Sequence, residues 1–427
     1  MEHRTYDEGS NNNNTLANQR HQRGDQDEKE HIDEVIHSFR QHAMFCRSAR
    51  RGRLMRIQNL PNSIQTVLPN ALIVGTSEYQ SREKLSHEAE IRNQFFFDCM
   101  LKYHQVPNSQ EYLALQTTAA GQSNNGSDLQ QVDVNMGMSS DDHISKTHSV
   151  LKSLMRDWSA DGGEEREQAY RPLINGVEKY ITKRKRKICV PGAGLGRLAI
   201  EICSLGHHVQ GNEFSMHMLL CSDFVLNVCS DARQPFQVCP FLQEGERNLN
   251  RISDVYRFVA VPDESPASIL KQRCDEDDTA SQFSMAAGDF VSIYSNDDEF
   301  GAWDCVVCSF FLDAAPCIVE YLQVIYNMLS NGGYLISFGP LHYHWTGPSL
   351  RPDETFDEYR NAHSNLDERY LSSIELCWDD LKKIIVNIGF ELVEEVTGLR
   401  ALYTCDQASF VRTEYQCVYF VARKKIA

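Results

Sequence analysis

Apolar residues along the chain change their rhythm near His148. Ahead of that point they recur at helical spacing within a polar background. This predicts a helix from Glu28 to Gln58, with Arg47, Arg50, Arg51, Arg53 and Arg56 on a solvated face, and a second helix over 81–103. Residues 1–30, including Asn11 to Asn14, read as a disordered tail, and the Gly-, Ser-, Asn- and Asp-rich stretch 105–145 reads as a loop. The expected division is a tail over 1–30, an N-terminal helical region over 31–145 and a larger domain over 146–427. In that larger domain two amphipathic helices, 150–158 and 164–182, precede an alternation of strands and helices. Strands are predicted near 187–191, 208–213, 302–310 and 333–338, with helices near 195–205, 215–229 and 316–330. Such alternation is the mark of an α/β fold with a parallel sheet. Two stretches break it and read as insertions: 231–282, which contains Asp275, Glu276, Asp277 and Asp278, and the polar 345–370. The chain closes with a helix over 378–388 and strands over 390–396 and 415–422.

Composition narrows the function classes. Over 427 residues the hydrophobic fraction is 41%, enough for a sizeable core, and the formal charge is −17. A nucleic-acid partner normally calls for a basic face, so none is expected. No apolar run approaches the ~18 residues that a membrane span needs. Met1-Glu2-His3-Arg4 leads into polar sequence, not an apolar signal core, so a cytoplasmic protein is expected. The basic run Lys183 to Lys187 reads either as a nuclear signal or as the solvated end of a helix. The 14 cysteines are scattered and read as reduced, buried small hydrophobes. Cys305 and Cys308 form a C-x-x-C, but on a strand their side chains would point to opposite faces and could not share a metal.

The candidate chemistry lies at the ends of the predicted strands. Gly192-x-Gly194-x-Gly196 follows one strand and opens a helix, where glycine permits a tight turn and close approach of a ligand. Arg197 stands where a dinucleotide fingerprint would carry a small residue, which disfavours a dehydrogenase. Glu213 follows Gly192 by 21 residues, a spacing that suits an acid on the ribose hydroxyls of a nucleoside. Asp289 and Phe290 in Ala287-Gly288-Asp289-Phe290 suit an adenine, the carboxylate taking its amino group and the ring its face. Phe310-Phe311-Leu312-Asp313 and Gly339-Pro340-Leu341-His342-Tyr343-His344-Trp345 end two further strands at the same rim, where ligands of open α/β sheets bind. Asp313 is read either as a substrate group or as the cap of a following helix.

The stretches VPGAGLGRLA (190–199), QGNEFSMHMLL (210–220), AGDF (287–290), FFLDAA (310–315), GPLHYHW (339–345) and YQCVYFVARK (415–424) resemble the carnosine N-methyltransferase family. That resemblance implies a Rossmann-like, seven-stranded class I methyltransferase sheet with S-adenosylmethionine as cofactor. The substrate implied is a histidine-containing peptide, carnosine (β-alanyl-histidine), methylated at the imidazole Nπ to give anserine, with related di- and tripeptides as further substrates. It also implies a homodimer with the N-terminal helices as the contact. By the same resemblance Arg156 holds the cofactor's carboxylate. Gly192, Gly194, Gly196, Glu213, Asp289 and Phe290 hold the rest of it, and Cys308 or Ser309 lines the same site. Asp313 and His344 grip the imidazole, Tyr415 contacts the substrate, and Thr413 stands in place of a second substrate tyrosine; Tyr343, in the rim motif 339–345, is a further candidate for substrate contact.

Methyl transfer from a sulfonium needs an unprotonated nitrogen, and an imidazole with a reference pKa near ~6.5 is largely in that form at neutral pH. Fixing its tautomer and aiming its lone pair is then the task, and no metal is required. Two other functions stay open from the sequence: methylation of a protein histidine or other large acceptor, and a cofactor-binding module without turnover.

Overall fold

A computed structural model describes residues 28–106, 139–229, 235–271, 282–345, 347–366, 370–371 and 373–426. Residues 1–27 of the expected tail, most of the expected loop over 105–145 and Asp275 to Asp278 lie outside the described residues, while 28–30 are helical. The chain falls into two compact units that divide between His148 and Ser149.

The first unit is helical. Residues 28–40 form a helix that a single turn residue separates from His42–Gln58, and Ser77–Tyr103 forms the longest helix of the unit. The last begins earlier than expected because the Thr76 hydroxyl accepts a 3.2 Å bond from the Tyr79 N–H, closing the first turn. Val35, Phe39, Ala89, Phe96, Phe97 and Met100 interlock as its core, the Phe39 and Phe97 rings 4.8 Å apart. The arginine-rich face is not wholly solvated. Glu90 is buried, and Arg47 and Arg50 reach it at 3.3 and 3.1 Å.

The second unit is built on a seven-stranded sheet. Its strands are β1 (Lys187–Pro191), β2 (His208–Glu213), β5 (Phe283–Ala287), β6 (Trp303–Ser309), β7 (Leu329–Gly339), β8 (Phe390–Leu402) and β9 (Glu414–Lys424), in the order β5-β2-β1-β6-β7-β9-β8. The first five are mutually parallel, and β9 runs antiparallel to both β7 and β8. The expected α/β sheet is therefore present, and β1 and β2 begin and end at the expected residues. Within the first expected insertion, β3 (Phe236–Val238) and β4 (Val259–Val261) pair as a separate two-stranded sheet. The second contains the helix Phe356–Ala362, opened by a capping box of Thr355 and Glu358.

The core lies on both faces of the sheet. Cys305 belongs to the cluster with Ile188, Val190 and Ile336, and Cys308 to the opposite one with Leu322 and Ile325; both thiols are fully buried. In the basic run, 182–185 is exposed, while Arg186 pairs with Asp304 at 3.1 Å. No helix of the described residues is long and apolar enough to cross a membrane.

Candidate active site

Parallel strands deliver their carboxyl ends to one rim, and the glycine loop leaves β1 there. Gly192 and Gly194 hold φ of +64° and +54°. A Cβ on Gly192 would meet the Phe311 ring at 2.7 Å, so no side chain fits that turn. Glu213, at the end of β2, accepts the Gly194 N–H at 2.9 Å on one oxygen and those of Phe214 and Ser215 at 2.9 and 2.8 Å on the other. Burial raises the carboxyl's pKa, and the three amide hydrogen bonds oppose the shift. Asn212 ties the neighbouring turn by donating to the carbonyls of Ala286 and Gly288.

Arg156 enters from the helix Asp141–Trp158. Its Nε and Nη2 donate to the two carboxylate oxygens of Asp157 at 2.7 and 3.1 Å, and Tyr170 donates its hydroxyl to the same carboxylate at 2.7 Å. Burial works against the guanidinium's charge, but Asp157 overrides it and raises the pKa still further. Beyond this fork lies a cleft walled by Arg156, Gly192, Ala193, Ser309, Phe310 and Tyr403. Arg197, in place of a fingerprint glycine, is buried, stacks over Trp158 at 5.0 Å and pairs with Asp263 at 2.8 Å.

Farther along the rim, Asp313 is 1% exposed. It caps no helix. Its Oδ2 accepts the His342 N–H at 3.0 Å, while its carbonyl accepts the His344 N–H at 3.1 Å, so the loop after β7 wraps this turn. Burial raises the Asp313 pKa, opposed first by the His342 amide and then by the His344 ring. The His342 ring lies 5.4 Å from that of His344 and 5.9 Å from that of Tyr415. Phe310 packs at 5.1 Å from Tyr403 and 6.0 Å from Tyr415, completing an aromatic enclosure. Phe310, Tyr343 and Thr404 all carry positive φ, of 50°, 50° and 47°, a concentration of backbone strain at this rim.

A family model of carnosine N-methyltransferase matches residues 134–426. The chain belongs to the carnosine N-methyltransferase family. The carnosine N-methyltransferase of Mus musculus is 33% identical over 402 residues, spanning 93% of this chain and 86% of that one. Those of Drosophila melanogaster and Schizosaccharomyces pombe are 35% and 34% identical, each over 66% of this chain and over 56% and 71% of their own. The enzyme is an S-adenosylmethionine-dependent methyltransferase.

Within this family member several expected site residues sit differently from the sequence reading. Ser309 lines the cleft, whereas Cys308, one residue earlier on β6, turns its thiol into the core. Phe290 is buried at 2% exposure against Tyr294, Phe311 and Tyr321, so core packing takes the ring face expected for adenine. Asp289 accepts the Ser292 N–H at 2.9 Å as the cap of a short helix. Tyr343 is turned away: its hydroxyl donates to the Leu376 carbonyl at 2.7 Å and its ring is buried, leaving His342 beside the enclosure instead. Gly196 takes a φ of +81° against Leu226 and serves the turn into the helix.

Three residues were missed. Tyr403 brings a second tyrosine ring to the enclosure, 5.9 Å from that of Tyr415; its N–H donates to the Thr413 carbonyl across the chain reversal between β8 and β9, so the ring comes from the strand opposite the expected position. Asp157 orients Arg156. Glu165 accepts the N–H groups of Thr404 and Cys405 at 2.8 and 2.7 Å, anchoring the segment that carries Tyr403. Glu165 and Tyr403 carry no short-range signal because their partners are distant in sequence, whereas Asp157 adjoins Arg156 and its role shows only in the geometry of the ion pair.

Proposed function

We propose that this enzyme transfers the methyl group of S-adenosylmethionine to the imidazole Nπ of carnosine, giving anserine. The single observation that carries the reading is the buried Asp313 carboxylate set among His342, His344 and Tyr415 at the strand-end rim. The residues fit the cofactor: a strained glycine turn with no room for Cβ, an aligned guanidinium and a cleft between them. Arg156 would take the carboxylate, Glu213 the ribose hydroxyls and Asp289 the adenine amino group, with Gly192, Gly194 and Ser309 along the wall. Bound there, the cofactor supplies a methyl group on a sulfonium.

The chain's own residues prepare the acceptor. Asp313 and His344 hold the proton of the distal imidazole nitrogen, so the lone pair of Nπ is the one exposed for attack. As the new N–C bond forms, the bond from the methyl carbon to the sulfonium sulfur would break with its electron pair left on sulfur as a neutral thioether, and the positive charge that passes to the ring is offset by the Asp313 carboxylate. The distal proton then leaves through Asp313 or His344 to solvent. Tyr415, Tyr403, His342 and Phe310 confine the ring, which is how orientation turns a bimolecular encounter into a positioned one. We further read the enzyme as a homodimer joined through its N-terminal helices.

A methyl-transfer assay over a panel of imidazole peptides, on wild type, Asp313→Ala and His344→Ala, tests this. Each substitution should cut turnover by about a hundredfold or more, the cost of losing reactant alignment. Affinity for S-adenosylmethionine should stay nearly constant, and NMR of the product should place the methyl on Nπ. Full activity in both variants, or methylation of the distal nitrogen, would refute the geometry.

A further inference from the structure

The N-terminal unit holds a second cluster of side chains with chemistry to offer. His42 and Cys46 stand one turn apart on the helix His42–Gln58 and therefore share a face. His148 reaches the same point from the helix Asp141–Trp158. One ligand atom from each of the three lies within 4.8 Å of the other two. His42 Nε2 is 3.6 Å from Cys46 Sγ, and the rings of His42 and His148 meet edge-on at 5.4 Å. His42 and Cys46 are 2% and 4% exposed.

We propose that His42, Cys46 and His148 bind one divalent transition-metal ion, zinc by the chemistry of the donors. A thiolate and two imidazoles are a borderline-soft set that suits zinc and not calcium or magnesium. The spacing agrees. A sulfur at about 2.3 Å and a nitrogen at about 2.0–2.1 Å from a tetrahedral zinc stand roughly 3.5–3.6 Å apart. The observed Sγ to Nε2 separation of 3.6 Å is that edge.

A thiol–imidazole hydrogen bond would account for two members of the cluster but not for a second imidazole brought to the same point. Moreover, the His42 Nδ1 is buried with no hydrogen-bond partner among the described residues, so this ring is not pinned at both nitrogens as a structural core histidine is. Asn93 is fully buried and places its side-chain amide nitrogen 3.3 Å from His42 Nε2. Turning that amide over, an exchange invisible to hydrogen-free geometry, presents Oδ1 as a fourth ligand. Asn93 lies on the helix Ser77–Tyr103, so the ion would tie together three helices of the unit. Binding would release the Cys46 thiol proton to solvent and add the metal's binding energy to the stability of this unit.

The full-length protein, stripped with a chelator, would be titrated with Zn²⁺ and separately with Co²⁺. We expect one equivalent of zinc per chain and a rise in melting temperature. Cobalt should give the intense visible bands of a tetrahedral site and a near-ultraviolet thiolate-to-cobalt charge-transfer band. Cys46→Ser should abolish that band, and His148→Gln should weaken zinc at least tenfold, with unchanged affinity for S-adenosylmethionine confirming a folded chain. A rival lies nearby in the same unit: His31, Glu34 and His143, with His143 Nε2 2.9 Å from Glu34. Binding that survives Cys46→Ser and His148→Gln but is lost in His31→Ala would overturn the proposal. So would failure of the stripped wild-type protein to bind zinc, or a cobalt spectrum without the charge-transfer band.

Discussion

Asp313 is where stability and function pull against each other. Its pKa is raised above the ordinary 3.8 because burial penalises the charged form. The sign follows directly: the charge is a cost to folding above the unfolded pKa, and the cost is relieved as pH falls through the folded value. Asp313→Asn keeps an acceptor for the His342 N–H while removing that charge, so its melting temperature at neutral pH should equal or exceed that of wild type. Turnover should nevertheless collapse. The acid limb of kcat/KM offers a second check. Wild type should lose activity through two protonations, of Asp313 and of the substrate imidazole near ~6.5, and the variant through the second alone. A wild-type limb of unit slope would remove Asp313 from the reaction. Glu213 carries a different load, because its three amide hydrogen bonds also shape the glycine loop. Glu213→Ala should weaken S-adenosylmethionine binding by about 1.5–3 kcal/mol, the range for a lost charged hydrogen-bond partner. Calorimetric affinity equal to wild type would show the ribose reading to be wrong.

Among the elements, the parallel strands beside the glycine loop were the most legible: β1 is an apolar run that ends at the loop, and β2, though mostly polar, is bracketed by the preceding helix and by Gly211-Asn212-Glu213 at its end. The edge strand was not. β8 was expected to end at 396 but runs to Leu402, and it carries Glu391, Glu394, Glu395 and Thr397 in place of an apolar stripe, Glu394 meeting Lys179 and Tyr180 and Glu395 meeting Trp378 and Lys382. β7 starts at Leu329, before the expected 333, because the preceding helix passes into it without a loop. The site followed the same division. Residues within strand-end motifs could be read, whereas Tyr403 owes its place to the extra length of β8 and to Glu165 across 239 positions of sequence. Glu165→Gln keeps one acceptor for two N–H groups, so the segment after β8 should loosen. Hydrogen exchange at Thr404 and Cys405 should quicken, and the KM for the peptide should rise by roughly tenfold from a misplaced Tyr403. Unchanged exchange at those amides would show that Glu165 does not anchor the segment.

At the scale of the whole molecule, an acidic enzyme of charge −17 has little reason to self-associate through its charged surface. The N-terminal unit offers an apolar one. Ile64, Val67 and Val74, in the turns after the helix His42–Gln58, are 44%, 77% and 50% exposed. Val74 lines a groove together with Ile57, Leu68, Leu72 and Ile73. Monomeric proteins seldom leave such side chains contiguous and bare, so the homodimer proposed above predicts its contact on this face. Charge introduced there should separate the copies without disturbing the fold, because none of these side chains belongs to the Phe39, Phe96 and Phe97 core. Light scattering on the full chain should therefore report a dimer, and on Val67→Glu combined with Val74→Glu a monomer of unchanged circular dichroism. A chain truncated before residue 146 should be monomeric as well. An unaltered dimer in the truncated chain would move the contact to the methyltransferase unit, whereas one in the double variant alone would leave it on the N-terminal helices but on another face.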